Sequence, residues 1–351
     1  MTEARTQGSA HDSRIRAYLE FVAALFYFIG ARVLSRHAAA GLASPSWEPL
    51  AEQAILLFLL LAGYSAMGFS LARQGRPVSA QGLPFRAGWT GEFGLGLATG
   101  WGITAVCVTV LAVLGGIMVR FHGEPSAWGW LAADAAYFLL LTLAEEVAFR
   151  GYGFQRLARA LGPSVAVLGY ALLYTVLVRL QPGANNASAL VAFVFSFVLA
   201  TAYLRTRALW VSWGLNFGWK ASRALLFGLV VSGNSAHSPV IEGNPMGGFW
   251  LTGGGFGLDG SWFAFLVFLA AIPIVYRITR DLDFLHNAPE LIPGGIPVDM
   301  DAAARKQHEA AMGQTAPAAP ALVQIAPLAA PAEPKPEPEP KPESDPAHDL
   351  R

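Results

Sequence analysis

The chain has 351 residues, of which 54% are hydrophobic and only 14% are charged. Soluble globular domains carry about 25% charged residues, so this composition excludes an ordinary soluble protein and is typical of a membrane protein. The 24 basic and 24 acidic residues give a formal net charge of +0. The chain therefore lacks the basic surface that nucleic-acid binding requires. Its single cysteine, Cys107, excludes an internal disulfide and a metal site built from clustered cysteines.

Eight apolar runs follow a polar N-terminal segment. Residues 1–14 are predicted to be disordered, and the first apolar run, 17–34, has no cleavage site of the kind that ends a signal peptide. Each run is near the length of about 20 residues that crosses about 30 Å of hydrocarbon as a helix. The predicted transmembrane helices are 17–34, 51–71, 94–119, 128–149, 164–180, 189–203, 209–231 and 262–276.

Arginines are distributed unevenly between the two sides of these predicted helices. If the N-terminus is cytoplasmic, most arginines fall in cytoplasmic segments, as the positive-inside rule requires. Only Arg36, Arg120 and Arg179 fall in external loops, and Arg32 lies near an external helix end. The sequence therefore predicts an all-α polytopic membrane protein. About eight transmembrane helices form a bundle with a polar inner cavity, and both termini are cytoplasmic.

Two segments outside the apolar runs differ in composition. Residues 232–261 are rich in Gly, Asn and Pro, and two interpretations stay open: an external loop, or a re-entrant segment that lines a cavity. Residues 282–351 are rich in Pro, Ala, Glu and Lys, and such a segment cannot bury a core. We predict a transmembrane domain over 15–281 and a disordered cytoplasmic tail that serves as a tether for a cytoplasmic partner.

Charged residues stand at the end of the fourth apolar run, in the stretch TLAEEVAFRGYGFQR at 142–156. Charged side chains in a membrane segment are costly, so they usually face a protein interior, form pairs and carry function. Helical spacing puts Glu146 and Arg150 one turn apart on one face, which predicts an ion pair. Glu145 lies about 100° round the helix from Glu146 and is expected to meet different neighbours.

The pattern Glu-Glu-x-x-x-Arg, followed by Gly151, Tyr152 and Gln-Arg-Leu at 155–157, resembles the CPBP family of intramembrane proteases. This family includes the type 2 CAAX prenyl proteases and the bacterial bacteriocin-immunity (Abi) proteins. Three later stretches also resemble the family: YLRTRALW at 203–210, GLNFGW at 214–219 and WLTGGGFG at 250–257. The resemblance covers about 83–274 and implies a glutamate-dependent intramembrane endopeptidase.

The resemblance also implies a mechanism and shows where this chain departs from it. In the family, a motif glutamate and a histidine activate a water, while a second histidine and an Asn or Asp hold the developing oxyanion. On this match Glu145 and Glu146 carry the first motif, with Arg150 as a fixed cation. The second motif, Phe-x-x-x-His, falls on YTVLV at 174–178, and the third, His-x-x-x-Asn, falls on NFGWK at 216–220. Both histidines and the asparagine are therefore replaced.

Asn216, Lys220 and Arg223 are spaced to share one face of one helix. An unpaired ammonium is costly in a bilayer, so Lys220 is expected to be the counter-ion of Glu145 and Glu146. Such a pair keeps a carboxylate ionised and makes it a poorer base. The other interpretation is that Lys220 extends to the membrane boundary. Tyr174 and Arg223 are candidate substrate-binding residues, and a purely structural ion cluster is the alternative for the glutamates.

No cofactor or metal is predicted, because no histidine lies inside an apolar run. The histidines are His11, His37, His122, His237, His286, His308 and His348. Three functions stay open: an endopeptidase weakened by its missing histidines, a catalytically silent relative that acts as a scaffold or immunity factor, and a transporter. The sequence shows no pair of Gly/Pro-broken helices at matching positions in two halves, which argues against a transporter. The expected partners are the lipid bilayer and a membrane-embedded or membrane-proximal peptide, in a multi-pass protein of a bacterial inner membrane.

Overall fold

The computed structural model describes residues 2–71, 73–234, 240–286 and 308. This part of the chain is almost entirely helical, which confirms the predicted all-α fold of a polytopic membrane protein. Its α-helices are α1 (Thr2–Leu42), α2 (Glu48–Ser70), α3 (Pro77–Ala80), α4 (Trp89–Leu114), α5 (Pro125–Arg150), α6 (Tyr152–Leu161), α7 (Pro163–Arg179), α8 (Asn186–Thr206), α9 (Trp210–Ala221), α10 (Phe249–Thr252), α11 (Trp262–Ile278) and α12 (Arg280–His286).

Each of the eight predicted spans coincides with a helix, but fewer than eight are long and apolar enough to cross a membrane. Among the described residues, five segments meet this condition, and the bent pair of α11 and α12 makes a sixth. Helix α7 has the predicted length of 17 residues and is short for a membrane span, whereas α9 has only 12 residues and is shorter than the predicted span 209–231. The five segments are Ser13–Leu42, Glu48–Ser70, Trp89–Leu114, Ala127–Leu161 and Asn186–Thr206.

The two ends of the transmembrane region differ from the prediction. Helix α1 begins at Thr2, so residues 2–14 continue the first span as a helix instead of forming the predicted disordered segment. Adding a residue to an existing helix costs much less than starting one, which favours this extension. At the other end, α12 extends the ordered part of the chain to His286, beyond the predicted boundary at 281. The rest of the predicted tail, apart from His308, lies outside the described residues.

The third predicted span, 94–119, extends five residues beyond the C-terminal end of helix α4, at Leu114. Helix α4 stops at Leu114, because Gly115 and Gly116 follow and Gly116 has a φ of 89°. The chain then forms strand β1 (Ile117–Phe121), which pairs antiparallel with β2 (Ile241–Pro245), Val119 facing Gly243. Part of the stretch 232–261 is thus a strand. Its later residues Phe256 and Leu258 are 1% and 2% exposed, so they pack into the protein rather than form a plain loop.

Helices α4 and α9 pack through glycines on both sides. A Cβ at Gly96 or Gly100 of α4 would overlap the backbone of α9, and a Cβ at Gly214 or Gly218 of α9 would overlap the backbone of α4. Each helix carries two glycines at a spacing of four, the small-xxx-small pattern that lets membrane helices approach closely. This contact holds α9 in a fixed rotation, which matters because α9 carries Asn216 and Lys220.

We expect Gly100→Ala to destabilise the protein by about 1–3 kcal/mol, because its methyl group would meet the carbonyl of Leu215 and force the helices apart. Gly102→Ala is the matched control on the same helix, since nothing lies within 4 Å of a Cβ at Gly102. Thermal unfolding in detergent measures both variants. A Gly100→Ala midpoint equal to that of Gly102→Ala would contradict the packing described here.

Helix α8 is the most enclosed of the five long segments, and it borders the site. Of its apolar window 67% is buried, compared with 22% to 33% for the other four. Its first turn is stabilised by a capping box in which Asn185 accepts a hydrogen bond from the Ser188 backbone and Ser188 bonds back to Asn185. The C-terminal turns of α5 and of α9 carry the charged residues of the site.

Candidate functional site

Glu146 and Arg150 form the pair that their spacing predicts. The Arg150 Nη1 atom donates to Glu146 Oε1 at 3.0 Å, and the two side chains are 2% and 0% exposed. The Nη2 atom of Arg150 also donates to the hydroxyl and the carbonyl of Ser196 on α8, at 3.2 and 3.4 Å. Arg150 therefore fastens the end of α5 to the most enclosed helix of the bundle.

Glu145 faces a different neighbour, as its position on the helix predicts. Lys220 Nζ lies 2.5 Å from Glu145 Oε1 and 2.6 Å from Oε2. Lys220 is buried, so its ammonium meets Glu145 inside the protein. The Glu145 side chain is 19% exposed, the largest value among the five clustered residues Glu145, Glu146, Arg150, Asn216 and Lys220.

Asn216 joins the two ion pairs. Its Nδ2 atom donates to Glu145 Oε2 at 2.9 Å and to Glu146 Oε1 at 3.0 Å. Asn216 is 1% exposed, so these hydrogen bonds are shielded from solvent and fix the distance between the carboxylates. The amide of Asn216 thus links two ion pairs, Glu145–Lys220 and Glu146–Arg150, and the formal charges of these pairs balance. We call these five residues the glutamate cluster.

Arg223 does not join the glutamate cluster, although the helical spacing predicts a shared face with Asn216 and Lys220. A π-helical turn, Ser222–Leu226, follows α9 and widens the helix at this point. The Arg223 Nη1 atom lies 3.0 Å from Asp259 Oδ1, and the guanidinium stacks 3.9 Å from the centre of the Trp219 ring. Arg223 is 0% exposed, so substrate contact would require it to leave this pair.

Asp259 is a polar residue that the sequence reasoning missed. Besides Arg223, it accepts hydrogen bonds from Trp219 Nε1 at 2.9 Å and from the Ser232 hydroxyl and backbone N–H at 2.7 and 3.0 Å. It lies in the Gly-rich stretch that was left open as a loop or a re-entrant segment. An acid within a run of glycines and apolar residues, FGLDG at 256–260, is the feature that could have indicated it.

The positions that carry the second family motif hold no cationic or metal-binding group. Val178, where the family has histidine, is buried in an apolar cluster with Ala192 and Phe256. Tyr174 is half-buried, its ring 5.1 Å from that of Phe149, and its hydroxyl is close enough to interact electrostatically with Glu145 and Lys220. Tyr174 therefore borders the cluster without a direct hydrogen bond to it among the described residues.

Two histidines whose side chains the structure describes pair with residues outside the glutamate cluster. His122 is 3.7 Å from Glu242 on the strand pair, and His286 is 4.0 Å from Glu92. Within the described residues, no group of three His, Cys, Asp or Glu side chains is arranged to hold a metal ion. His237 lies outside the described residues.

Comparison with known proteins agrees with this arrangement. Residues 127–222 match the family described as Type II CAAX prenyl endopeptidase Rce1-like. The matched segment contains all five residues of the glutamate cluster, whereas Arg223 and Asp259 lie beyond its end. No curated protein and no solved structure matches the chain. Together with the long apolar helices, the match supports an integral membrane protein, and over residues 127–222 it confirms the predicted resemblance to the type II CAAX prenyl endopeptidases of the CPBP family.

Proposed function

We propose that this protein is a CAAX-type intramembrane endopeptidase in which Glu145 acts as the general base. The observation that carries the proposal is the position of Glu145. Its carboxylate is the most accessible of the glutamate cluster, and both of its oxygens lie against hydrogen-bond donors, Lys220 and Asn216. A partly accessible carboxylate beside fixed donors can take a proton from a water and hold the product of the attack.

The residues divide the steps of peptide hydrolysis between them. As the water oxygen bonds to the carbonyl carbon of the peptide, its proton goes to Glu145. The negative charge that forms on the carbonyl oxygen is stabilised by the Lys220 ammonium and the Asn216 amide. When the C–N bond breaks, Glu145 returns the proton to the leaving amine. The Glu146–Arg150 pair takes no proton and holds Asn216 in position.

Lys220 also bears on how strong the proposed activity is. Its ammonium lies against both oxygens of Glu145, so these oxygens are less open to a water than those of a glutamate without a cation beside it, and we propose a weak activity. The proposed substrate class follows from the apolar helices around the site. A peptide that is embedded in the membrane or lies close to it can reach Glu145 without crossing bulk water. We place the protein in a bacterial inner membrane.

A catalytically silent relative, acting as a scaffold or immunity factor, is the second candidate. Two observations favour it: the Val178 side chain lies in an apolar cluster, and both carboxylates of the glutamate cluster are already ion-paired. In this case the protein binds a peptide or a membrane protein without cleaving it.

A cleavage assay separates the two candidates. Purified protein in lipid nanodiscs is incubated with a peptide library, and the products are identified by mass spectrometry. We expect cleavage by the natural protein and a loss of about 100-fold or more in rate for Glu145→Gln. The matched control is Glu92→Gln, because Glu92 is also buried and paired, with Arg86 at 2.8 Å, but lies outside the glutamate cluster.

Comparison of the two variants can contradict the role of Glu145 as the general base. Equal losses in Glu145→Gln and Glu92→Gln would show a general effect of removing a buried carboxylate, and Glu145 would not be the base. Binding of peptides without cleavage by the natural protein would favour the silent relative.

A further inference from the structure

Three arginines surround a single carboxylate where α1 meets α6. Arg16 Nε lies 3.1 Å from Glu20 Oε1, and Arg156 Nη1 lies 3.3 Å from Glu20 Oε2. The Tyr152 hydroxyl donates to the same Oε2 at 3.2 Å. Arg159, one turn after Arg156, is exposed and close enough for the two guanidiniums to repel each other. We call Arg16, Arg156 and Arg159 the arginine cluster.

The arginine cluster carries more positive charge than its surroundings offset. Among the described side chains, Glu20 is the one carboxylate within ion-pair distance of Arg16 or Arg156, and none lies within that distance of Arg159. Arg156 is 4% exposed, and within the described structure its Nε and Nη2 atoms have no hydrogen-bond acceptor. Buried donors without acceptors are costly, so this arrangement favours the approach of an anion.

Apolar side chains flank the arginine cluster on both sides. Ile15 and Leu19, next to Arg16 along α1, are 47% and 62% exposed. Leu161 at the end of α6 and Val165 at the start of α7 are 53% and 45% exposed. A ligand at this place therefore meets guanidinium groups and exposed apolar side chains together. These two surfaces match the two parts of a membrane lipid, its charged headgroup and its acyl chains.

We propose that the arginine cluster binds the phosphate group of an anionic phospholipid headgroup, whose acyl chains lie along the exposed side chains of α1, α6 and α7. Guanidinium groups match phosphate oxygens in charge and in hydrogen-bond geometry. Among the described side chains the three arginines exceed Glu20 by two positive charges, which attract an anionic lipid more than a zwitterionic one. The site lies on α1 and α6, and α6 directly follows the helix that carries Glu145, Glu146 and Arg150. The proposal does not depend on whether the protein is a protease.

Lipid binding to the full-length protein tests this proposal. Native mass spectrometry and thermal unfolding in detergent are carried out with phosphatidylglycerol, with phosphatidylcholine and with inorganic phosphate. We expect phosphatidylglycerol alone to raise the unfolding temperature of the natural protein. The double variant Arg16→Gln/Arg159→Gln is expected to bind phosphatidylglycerol about tenfold more weakly, since each arginine near a membrane surface contributes to the attraction of anionic lipid.

The double variant Arg277→Gln/Arg280→Gln is the matched control. It removes the same charge from exposed arginines on α11 and α12, and it should bind phosphatidylglycerol as the natural protein does. Equal weakening in the two double variants would show diffuse attraction and overturn the site. Stabilisation by inorganic phosphate equal to that by phosphatidylglycerol would overturn the lipid as the ligand. Because Arg16 and Arg159 are exposed, an unchanged unfolding temperature in phosphatidylcholine verifies that the first variant is folded.

Discussion

Replacing Arg150 with methionine is expected to lower the free energy of unfolding by roughly 3–5 kcal/mol, the usual cost of removing one partner from a buried ion pair. Arg150 is 2% exposed, and Glu146 beside it is 0% exposed. Without the guanidinium, the Glu146 carboxylate would stay buried without its cation, and Ser196 on α8 would lose its hydrogen bond from α5. Chemical or thermal unfolding in detergent measures the loss.

Two further variants test whether the buried pair is the cause. Arg159→Met removes an exposed arginine from the next helix and is expected to change stability little. Arg150→Met combined with Glu146→Gln should recover part of the loss, because the second change removes the stranded charge. A loss in Arg159→Met as large as in Arg150→Met, or no recovery in the combined variant, would contradict the interpretation.

Lys220→Met is expected to destabilise the protein strongly on its own and much less in combination with Glu145→Gln. The ammonium contacts both oxygens of Glu145, so its removal leaves this carboxylate with Asn216 as its remaining hydrogen-bond donor. A double-mutant cycle isolates the interaction, and we expect a coupling energy of about 1–3 kcal/mol between Lys220 and Glu145.

The neighbouring glutamate provides the control for this cycle. Glu146 is paired with Arg150 rather than with Lys220, so Lys220→Met and Glu146→Gln should be closer to additive. Equal coupling of Lys220 to the two glutamates would mean that the cluster behaves as one shared charge. Coupling near zero to both would refute the counter-ion role. If the cleavage assay detects activity, Lys220→Met also tests whether the ammonium contributes to the reaction.

The positions of the helices could be predicted from the sequence because each is a long apolar run, and local hydropathy decides membrane helices. The exceptions are places where local and distant effects compete. The predicted span 94–119 ends early because Gly115 and Gly116 release the chain, and the strand that follows depends on residues 241–245, far away in the sequence. The shortness of α9 depends on the π-helical turn after Ala221, which hydropathy does not reveal.

The glutamate cluster divides in the same way. The contact of Glu146 with Arg150 lies within one helix, so spacing alone predicts it. The contact of Glu145 with Lys220 joins two helices and was predicted only because the family resemblance places the two motifs together. The sequence places Arg156 among the cytoplasmic arginines, but its side chain is buried and pairs with Glu20. The contacts of Asp259 with Arg223 and of Glu20 with Arg156 are made by tertiary packing, for which the sequence offers no periodic pattern.

The strand pair has a consequence for the order in which the chain folds. All the helices that supply the glutamate cluster and its neighbours, α5 and α7 to α9, lie in the sequence between β1 and β2. Pairing the strands closes a long loop, and the entropic cost of closure rises with loop length. Non-local pairing of this kind tends to form late. The β1–β2 strand pair therefore forms after helices α5 to α9 have packed together. During synthesis β1 stays unpaired until residues 241–245 have emerged.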